Sequence, residues 1–298
     1  MAYDVIVLGS GPGGYVAAIR ASQLGFKTAV IEKESLGGIC LNWGCIPTKA
    51  LLKSAQVNED IKHAKEFGIE ATGKVDFAAV IKRSRGVADK MSKGVSFLMR
   101  KNKIDVIMGY GKLKAKGQIE VTAADGKKQI VEGKHIIIAT GARSRELPAL
   151  KIDGKKIIGY REAMVLPQLP QKMIVVGSGA IGVEFAYFYN SMGTKVTVVE
   201  FLPRVVPVED EEISKELEKN FKKNGIEVMT GSEVTKVDAS GNGVKATVKT
   251  PGGEVILEAD VVLSAVGIAA NVEGVGLEEL GIKTEKGKIV VDPFYKTN

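Results

Sequence analysis

The only two cysteines of the sequence share one short stretch, Gly37-Gly38-Ile39-Cys40-Leu41-Asn42-Trp43-Gly44-Cys45-Ile46-Pro47-Thr48-Lys49. Thiols this close can exchange an electron pair as dithiol and disulfide, can begin a metal site, or can be small apolar residues that happen to be neighbours. Two thiols do not fill a four-ligand zinc site, and the two histidines lie elsewhere, His63 in a polar helical stretch and His135 at a strand start, so no metal is expected. In a regular α-helix, residues five apart have Cα atoms about 8.6 Å apart, beyond the roughly 7 Å that a disulfide spans. If Cys40 and Cys45 pair, the chain must bulge between them, and Gly37, Gly38 and Gly44 supply that freedom. Pro47 suits the first turn of the helix that follows. Cys45 would then lie near a helix N-terminus, whose positive dipole end lowers a thiol's pKa and favours thiolate.

The elements that must position this loop are set by an internal repeat. Asp4 to Glu32 reads DVIVLGSGPGGYVAAIRASQLGFKTAVIE, and Met173 to Glu200 reads MIVVGSGAIGVEFAYFYNSMGTKVTVVE. Each copy is an apolar strand, a glycine turn, a helix-length segment ending near Gly25 or Gly193, and a second strand closing on an acid. Both carry G-x-G-x-x-G, at Gly9, Gly11 and Gly14 and at Gly177, Gly179 and Gly182, and both reach the closing glutamate 23 residues after the first glycine. The first glycine permits a tight turn, the second lets backbone approach a pyrophosphate, and the third lets helix pack on strand. The helix N-terminus offers free N–H groups to phosphates, and Glu32 or Glu200 can accept from an adenosine ribose. A dinucleotide site is expected at each copy. Two such sites and one dithiol imply redox chemistry, since nicotinamides pass hydride, thiols pass electron pairs and a flavin exchanges with both.

The remaining chain supports this plan. At 298 residues it has room for two domains with cores of their own, so the cysteines are not needed as staples. The N-terminus shows no signal-peptide pattern, and no apolar run approaches the roughly 18 residues of a membrane span. A cytoplasmic protein is expected, where a close cysteine pair is more often catalytic or metal-binding than structural. The formal net charge of +7 comes from lysines dispersed through helices and hairpins, without an Arg-rich arm, so neither a nucleic-acid nor a membrane partner is expected. Helices are predicted from about Pro47 to Val57 and over Phe77 to Lys101, strands at Ile104 to Met108 and His135 to Ala139, and hairpins around Asp125-Gly126, Gly241 to Gly243 and Gly252-Gly253. Pro148, Pro167 and Pro170 mark the passage between domains. The fold class is α/β, with two parallel, doubly wound sheets and β-meander insertions.

Taken together, GGICLNWGCIPTKALL, GSGPGGYVAA, IIIATGA and GSGAIGVEFA resemble the flavin-dependent pyridine nucleotide-disulfide oxidoreductases, and within them most closely the dihydrolipoamide dehydrogenases. The resemblance runs over the whole chain. It implies FAD on the first copy, with Gly9, Gly11, Gly14 and Glu32 at its ADP half and Gly111, Thr140 and Gly141 touching it through backbone. It makes Cys40 the interchange thiol, Cys45 the thiolate beside the flavin, and Lys49, paired with Glu184, the cation near the flavin N5. It places NAD on Gly177, Gly179, Gly182 and Glu200, with Gly267 in the passage out of that domain. An acid at the end of the second strand repels a 2'-phosphate, so NAD is expected over NADP. The implied domains are 1–146 for FAD and the cysteine loop, 147–270 for NAD, and 271–298 for a return segment.

The resemblance further implies electron transfer from dihydrolipoamide through the Cys40–Cys45 disulfide and FAD to NAD, a lipoyl domain of a 2-oxo acid dehydrogenase complex as partner, and a homodimer. Ile268 and Ala270 stand where the family usually has Arg and Pro, and Trp43 where it often has a smaller residue. The family continues beyond this length into a Gly-Asp strand and an interface domain with a His-Glu general base, so a truncated chain with a slowed thiol half-reaction is expected. Neither His63 nor His135 has the context of that base. Competing readings are a mercuric or glutathione-type disulfide reductase, a flavin transhydrogenase or oxidase that uses no dithiol, and a chain that binds only NAD.

Overall fold

The computed structural model describes residues 2–298. In chain order the elements are β1 (Tyr3–Leu8), α1 (Pro12–Gln23), β2 (Thr28–Glu32), α2 (Gly38–Trp43), α3 (Cys45–His63), α4 (Phe77–Lys101), β3 (Asp105–Met108), β4 (Tyr110–Ala115), β5 (Gln118–Thr122), β6 (Lys128–Ile138), β7 (Ala142–Ser144), β8 (Ile157–Ile158), α5 (Tyr160–Ala163), β9 (Lys172–Val176), α6 (Ala180–Met192), β10 (Lys195–Val199), α7 (Glu211–Lys223), β11 (Glu227–Met229), β12 (Glu233–Asp238), β13 (Val244–Thr250), β14 (Gly253–Ala259) and β15 (Val261–Ser264). The chain divides into two compact units. One holds the segment up to Cys45, Val87–Arg143 and Ala269–Asn298; the other holds Ile46–Gly86 and Ser144–Ile268.

The first unit is built on a six-stranded sheet of order β3-β2-β1-β6-β5-β4. β1, β2 and β3 are parallel neighbours, and β6 pairs with β1 in parallel from Gly133 to Ile138. The first half of β6 instead runs antiparallel to β5, which turns back to β4. One strand thus serves both the nucleotide sheet and a meander, so the strand expected at His135 is the second half of a longer one. A core of Ile6, Leu8, Ile31, Leu113, Ile119, Val121 and Val131 lies between them, closed by Val275 and Leu277 from the returning chain. That return is stitched on by backbone, the Leu113 N–H donating to the Val275 carbonyl at 2.9 Å.

The second unit repeats the plan with a five-stranded parallel sheet of order β11-β10-β9-β15-β8 and a separate antiparallel meander β12-β13-β14. Ile174, Val176, Val199 and Val262 pack against Val234, Ala246 and Val248 of the meander. α6 buries an aromatic face: Phe185, Phe188 and Tyr189 are buried, and Phe77 joins Phe188 and Tyr189 at ring-centroid distances of 6.2 Å each. Burial pushes the Tyr189 hydroxyl pKa up, and the hydroxyl donates to the Ala163 carbonyl at 2.5 Å. α3 extends beyond the apolar stretch that predicted it, because its polar end is also held: Asn58 and Lys62 both donate to the Ser191 carbonyl, at 2.7 and 3.0 Å.

Phe188 is 1% exposed and packs edge-on against Tyr189 at 5.0 Å. Phe188→Ala is expected to remove about 3–5 kcal/mol from the second unit, read as a lower urea midpoint for its unfolding step; an unchanged midpoint would show that the cluster collapses without cost.

Candidate functional site

The two glycine turns have the same geometry. A Cβ on Gly14 would come within 1.9 Å of the Gly9 carbonyl oxygen, and one on Gly182 within 1.9 Å of that of Gly177. Gly9 and Gly177 take φ of +101° and +98°, and a side chain on either would strike the carbonyl of Ala139 at 2.2 Å or of Ala265 at 2.5 Å. Gly11 and Gly179, the N-cap residues of α1 and α6, would place a Cβ with no protein atom within 4 Å. Two glycines in each turn are thus demanded by backbone contact, while the middle one borders open space. An uncapped helix N-terminus behind such a space suits a pyrophosphate, and no side chain caps either helix.

At the end of β2, Glu32 is 7% exposed, and at the end of β10 so is Glu200. Glu32 Oε2 accepts from the Ser10 N–H at 3.0 Å and the Ser10 hydroxyl at 2.6 Å, and Oε1 accepts from the Glu34 N–H at 2.8 Å. Glu200 repeats this with the Ser178 N–H and hydroxyl, both at 2.7 Å, and the Leu202 N–H at 2.8 Å. A carboxylate has about four acceptor positions, so three donors leave room for one more, such as a ribose hydroxyl. The serines were missed in the sequence reading, although Ser10 and Ser178 occupy the same place in the two repeats.

The repeat continues past the portions that are alike in sequence. Ala139-Thr140-Gly141 follows β6 as Ala265-Val266-Gly267 follows β15. The Ala139 N–H donates to Leu8 and the Ala265 N–H to Val176, at 2.8 Å each. Gly141 and Gly267 both have positive φ, +70° and +111°, with no neighbour within 4 Å of a Cβ. In the first unit Asn271 donates from its N–H to the Gly141 carbonyl at 2.9 Å and from Nδ2 to the Thr140 carbonyl at 2.9 Å, while the Thr140 hydroxyl donates to the Asn271 carbonyl at 2.7 Å. Each carbonyl has one donor, so the turn is tied to the returning chain at Asn271. Gly111 is glycine for packing: a Cβ there would meet Leu8 Cδ1 at 2.5 Å.

Cys40 and Cys45 form a disulfide with Cα atoms 4.7 Å apart. The break needed for this lies at Gly44, whose φ of −146° and ψ of −116° end α2 before α3 begins at Cys45. Cys45 is exposed and Cys40 half-buried. The loop is tied to the first glycine turn, with the Gly37 N–H donating to the Ser10 carbonyl at 3.0 Å and Gly38 so near Gly11 that a Cβ would fall 2.6 Å from its Cα. Between the cysteines, Asn42 Nδ2 donates to the Leu36 and Gly38 carbonyls at 3.0 and 2.9 Å, and Trp43 Nε1 to Glu34 Oε1 at 3.0 Å. Neither residue was singled out as functional in the sequence. One turn beyond Cys45 on α3, Lys49 Nζ lies 2.6 Å from Glu184 Oε1 on α6, with the lysine side chain 61% exposed. His63 sits beside Glu66 at 2.9 Å, and among the described residues no group of three or more His, Cys, Asp or Glu could hold a metal ion. No helix there is long and apolar enough to cross a membrane.

The glycine contacts carry a paired prediction. Gly14→Ala must displace backbone and is expected to cost about 1–3 kcal/mol or more, whereas Gly11→Ala, at φ −64° and ψ −178° with open space ahead, is expected to change stability by less than about 1 kcal/mol. Thermal unfolding of the two variants checks the order; equal losses would refute the assignment of distinct roles.

Comparison with known proteins agrees with this geometry. The profile of the family described as pyridine nucleotide-disulphide oxidoreductase matches residues 3–298. A dihydrolipoyl dehydrogenase of Rhizobium etli is 51% identical over 99% of this chain and 65% of its own length, and one of Bacillus subtilis is 45% identical over 99% and 65%. The crystal structure of LpdA from Mycobacterium tuberculosis superposes with a TM-score of 0.91 at 31% identity, covering 99% of this chain and 65% of that one. The HOCl-induced flavoprotein disulfide reductase RclA from Escherichia coli, in its Cu(II) complex, gives 0.85 at 26%, covering 100% and 64%. The chain therefore spans about 65% of the length of the curated relatives it matches. With its family profile matched almost end to end and a disulfide closed against the first of two dinucleotide turns, the chain belongs to the pyridine nucleotide-disulphide oxidoreductases.

Proposed function

We propose that this chain carries the dithiol-to-nicotinamide electron path of a dihydrolipoyl dehydrogenase, with FAD on the first glycine turn and NAD on the second. The observation that carries the reading is the attachment of the Cys40–Cys45 loop to the first turn through Gly37 and Gly38, which ties a reducible disulfide to a dinucleotide site. Gly9, Gly11, Gly14 and Glu32 hold the ADP half of FAD, with Thr140, Gly141 and Gly111 adding backbone contact. Gly177, Gly179, Gly182 and Glu200 hold NAD, with Gly267 as the counterpart of Gly141. The buried Glu200 carboxylate disfavours a 2'-phosphate through like charge.

In this reading a thiolate of the dihydrolipoyl substrate attacks Cys40. The Cys40–Cys45 bond breaks, a mixed disulfide with Cys40 forms, and Cys45 leaves as thiolate at the first residue of α3, where the helix dipole favours negative charge. The second substrate thiolate then attacks its own sulfur in the mixed disulfide, releasing Cys40. The substrate ends as a cyclic disulfide, the protein as a dithiol, and the two substrate protons pass to a base or to water. Bound flavin supplies the two-electron carrier between this dithiol and NAD. Lys49, paired with Glu184, would supply a positive charge to that chemistry. A lipoyl domain of a 2-oxo acid dehydrogenase complex as partner, a homodimeric assembly and a cytoplasmic setting follow from the same reading.

The visible spectrum with FAD, before and after anaerobic NADH, tests it. A flavin band that bleaches with NADH and gains a long-wavelength shoulder is expected, with NADPH reducing it more slowly; a chain that stays colourless with added FAD, or prefers NADPH, would overturn the assignment. Independently, Gly179→Ala is expected to weaken NADH binding about tenfold or more, roughly 1.4 kcal/mol, while flavin retention is unchanged, as measured by calorimetric titration.

A further inference from the structure

Trp43 is the sole tryptophan and sits between the two cysteines, yet none of the chemistry above uses it. Its indole Nε1 donates to Glu34 Oε1 at 3.0 Å, and the Glu34 N–H donates to Glu32 Oε1 at 2.8 Å. Glu32 Oε2 in turn accepts from both donors of Ser10, whose carbonyl receives the Gly37 N–H at the entrance of the loop. One hydrogen-bonded circuit therefore leaves the first glycine turn, passes the fingerprint acid and returns through Trp43 to the segment joining the sulfurs. Trp43 ends α2 and stands immediately before Gly44, the residue at which the helix breaks. Asn42 holds the other side of the same turn through the Leu36 and Gly38 carbonyls.

We propose that Trp43 is a positioning residue for the redox pair: its bond to Glu34 restrains the end of α2 so that the two thiols, when reduced, stay at the separation from which the disulfide re-forms. Closing a disulfide from a restrained dithiol avoids the conformational entropy that a loose loop loses. The anchor accordingly favours the disulfide over the dithiol, and removing it favours the dithiol. The sequence signals for such a role are an aromatic donor between the cysteines and an acid close after the second strand, Glu34 following Glu32.

The test equilibrates the purified chain in glutathione buffers, where two glutathione thiols reduce the protein disulfide to a dithiol and leave as one glutathione disulfide. The reduced fraction is read by rapid alkylation and mass spectrometry. Trp43→Phe keeps the ring and loses the donor, and Glu34→Ala loses the acceptor. Each is expected to shift the equilibrium toward dithiol by about three- to tenfold, the size of one hydrogen bond. Glu34→Gln retains an amide oxygen and is expected to stay within about twofold of the unmodified chain. The double variant Trp43→Phe/Glu34→Ala is expected to shift by less than the sum of the two single effects, because both remove the contact between Trp43 and Glu34. An unshifted Trp43→Phe, or additive single effects, would overturn the proposal. Glu34 is exposed, so its variants answer even if Trp43→Phe misfolds. The same disulfide serves the proposed electron path, but this measurement needs neither flavin nor nicotinamide, so it can fail without that reading and survive without it.

Discussion

The geometry of the first glycine turn rests on one contact, the Gly9 carbonyl lying against the Cα of Gly14 closely enough that no side chain fits between. It joins the end of β1 to the start of α1 without slack, and so fixes where the unbonded N–H groups of α1 point. Gly9 itself lies on the Ala139 carbonyl, which fixes the end of β6 to the same turn, and Gly38 lies on Gly11, which fixes the cysteine loop to it. An uncapped helix end, a backbone turn and a disulfide are thereby held to a common origin by backbone packing. Backbone is the stiffest material available for this, since it has no rotamers to choose among.

The buried acids are the second constraint. A carboxyl group shielded from water needs hydrogen-bond partners, and Ser10 and Ser178 each give two bonds to the nearest glutamate from N–H and hydroxyl together. The same serines sit inside the glycine turns, so each acid is held by the turn that it faces. Turn shape and acid position are therefore not independent choices.

Much of this was legible in the sequence. The two strand-turn-helix-strand copies, the helix over Phe77–Lys101, the hairpins and the break between Cys40 and Cys45 were readable because each is decided by local chemistry: glycine spacing, apolar periodicity, turn residues. The third member of each site, Ala139-Thr140-Gly141 and Ala265-Val266-Gly267, was not readable as a repeat. The meander before it shares its last strand with the nucleotide sheet in one unit and stands apart in the other, so the two stretches fall at different distances from their glycine turns. The assignment of residues 46–86 to the second unit was likewise hidden, because it depends on Ser191 and on the Phe77 aromatic contacts, which pair positions more than a hundred residues apart. Trp43 stayed mute because a hydrogen bond to Glu34 leaves no periodic trace.

The divergence of the two halves comes down to what the chain does after its acid. In both, the loop returns to donate a backbone N–H to the serine carbonyl of the glycine turn: Gly37 to Ser10 at 3.0 Å and Val206 to Ser178 at 3.1 Å. Both latch residues have positive φ, +92° and +38°. Gly37 adopts this freely, and its bare Cα lets Leu41 of α2 pack on it, since a Cβ there would meet Leu41 at 2.6 Å. The chain can therefore turn at once into the helix that carries Cys40. Val206 adopts the same region against its β-branched side chain, a strained state that persists only where the surroundings over-determine it. Here Val205 and Val206 are both buried and Pro207 follows, so the surroundings hold the latch residue itself. The same latch is thus closed by glycine where the chain turns directly into α2, and by a strained valine where it runs on through an exposed loop to α7.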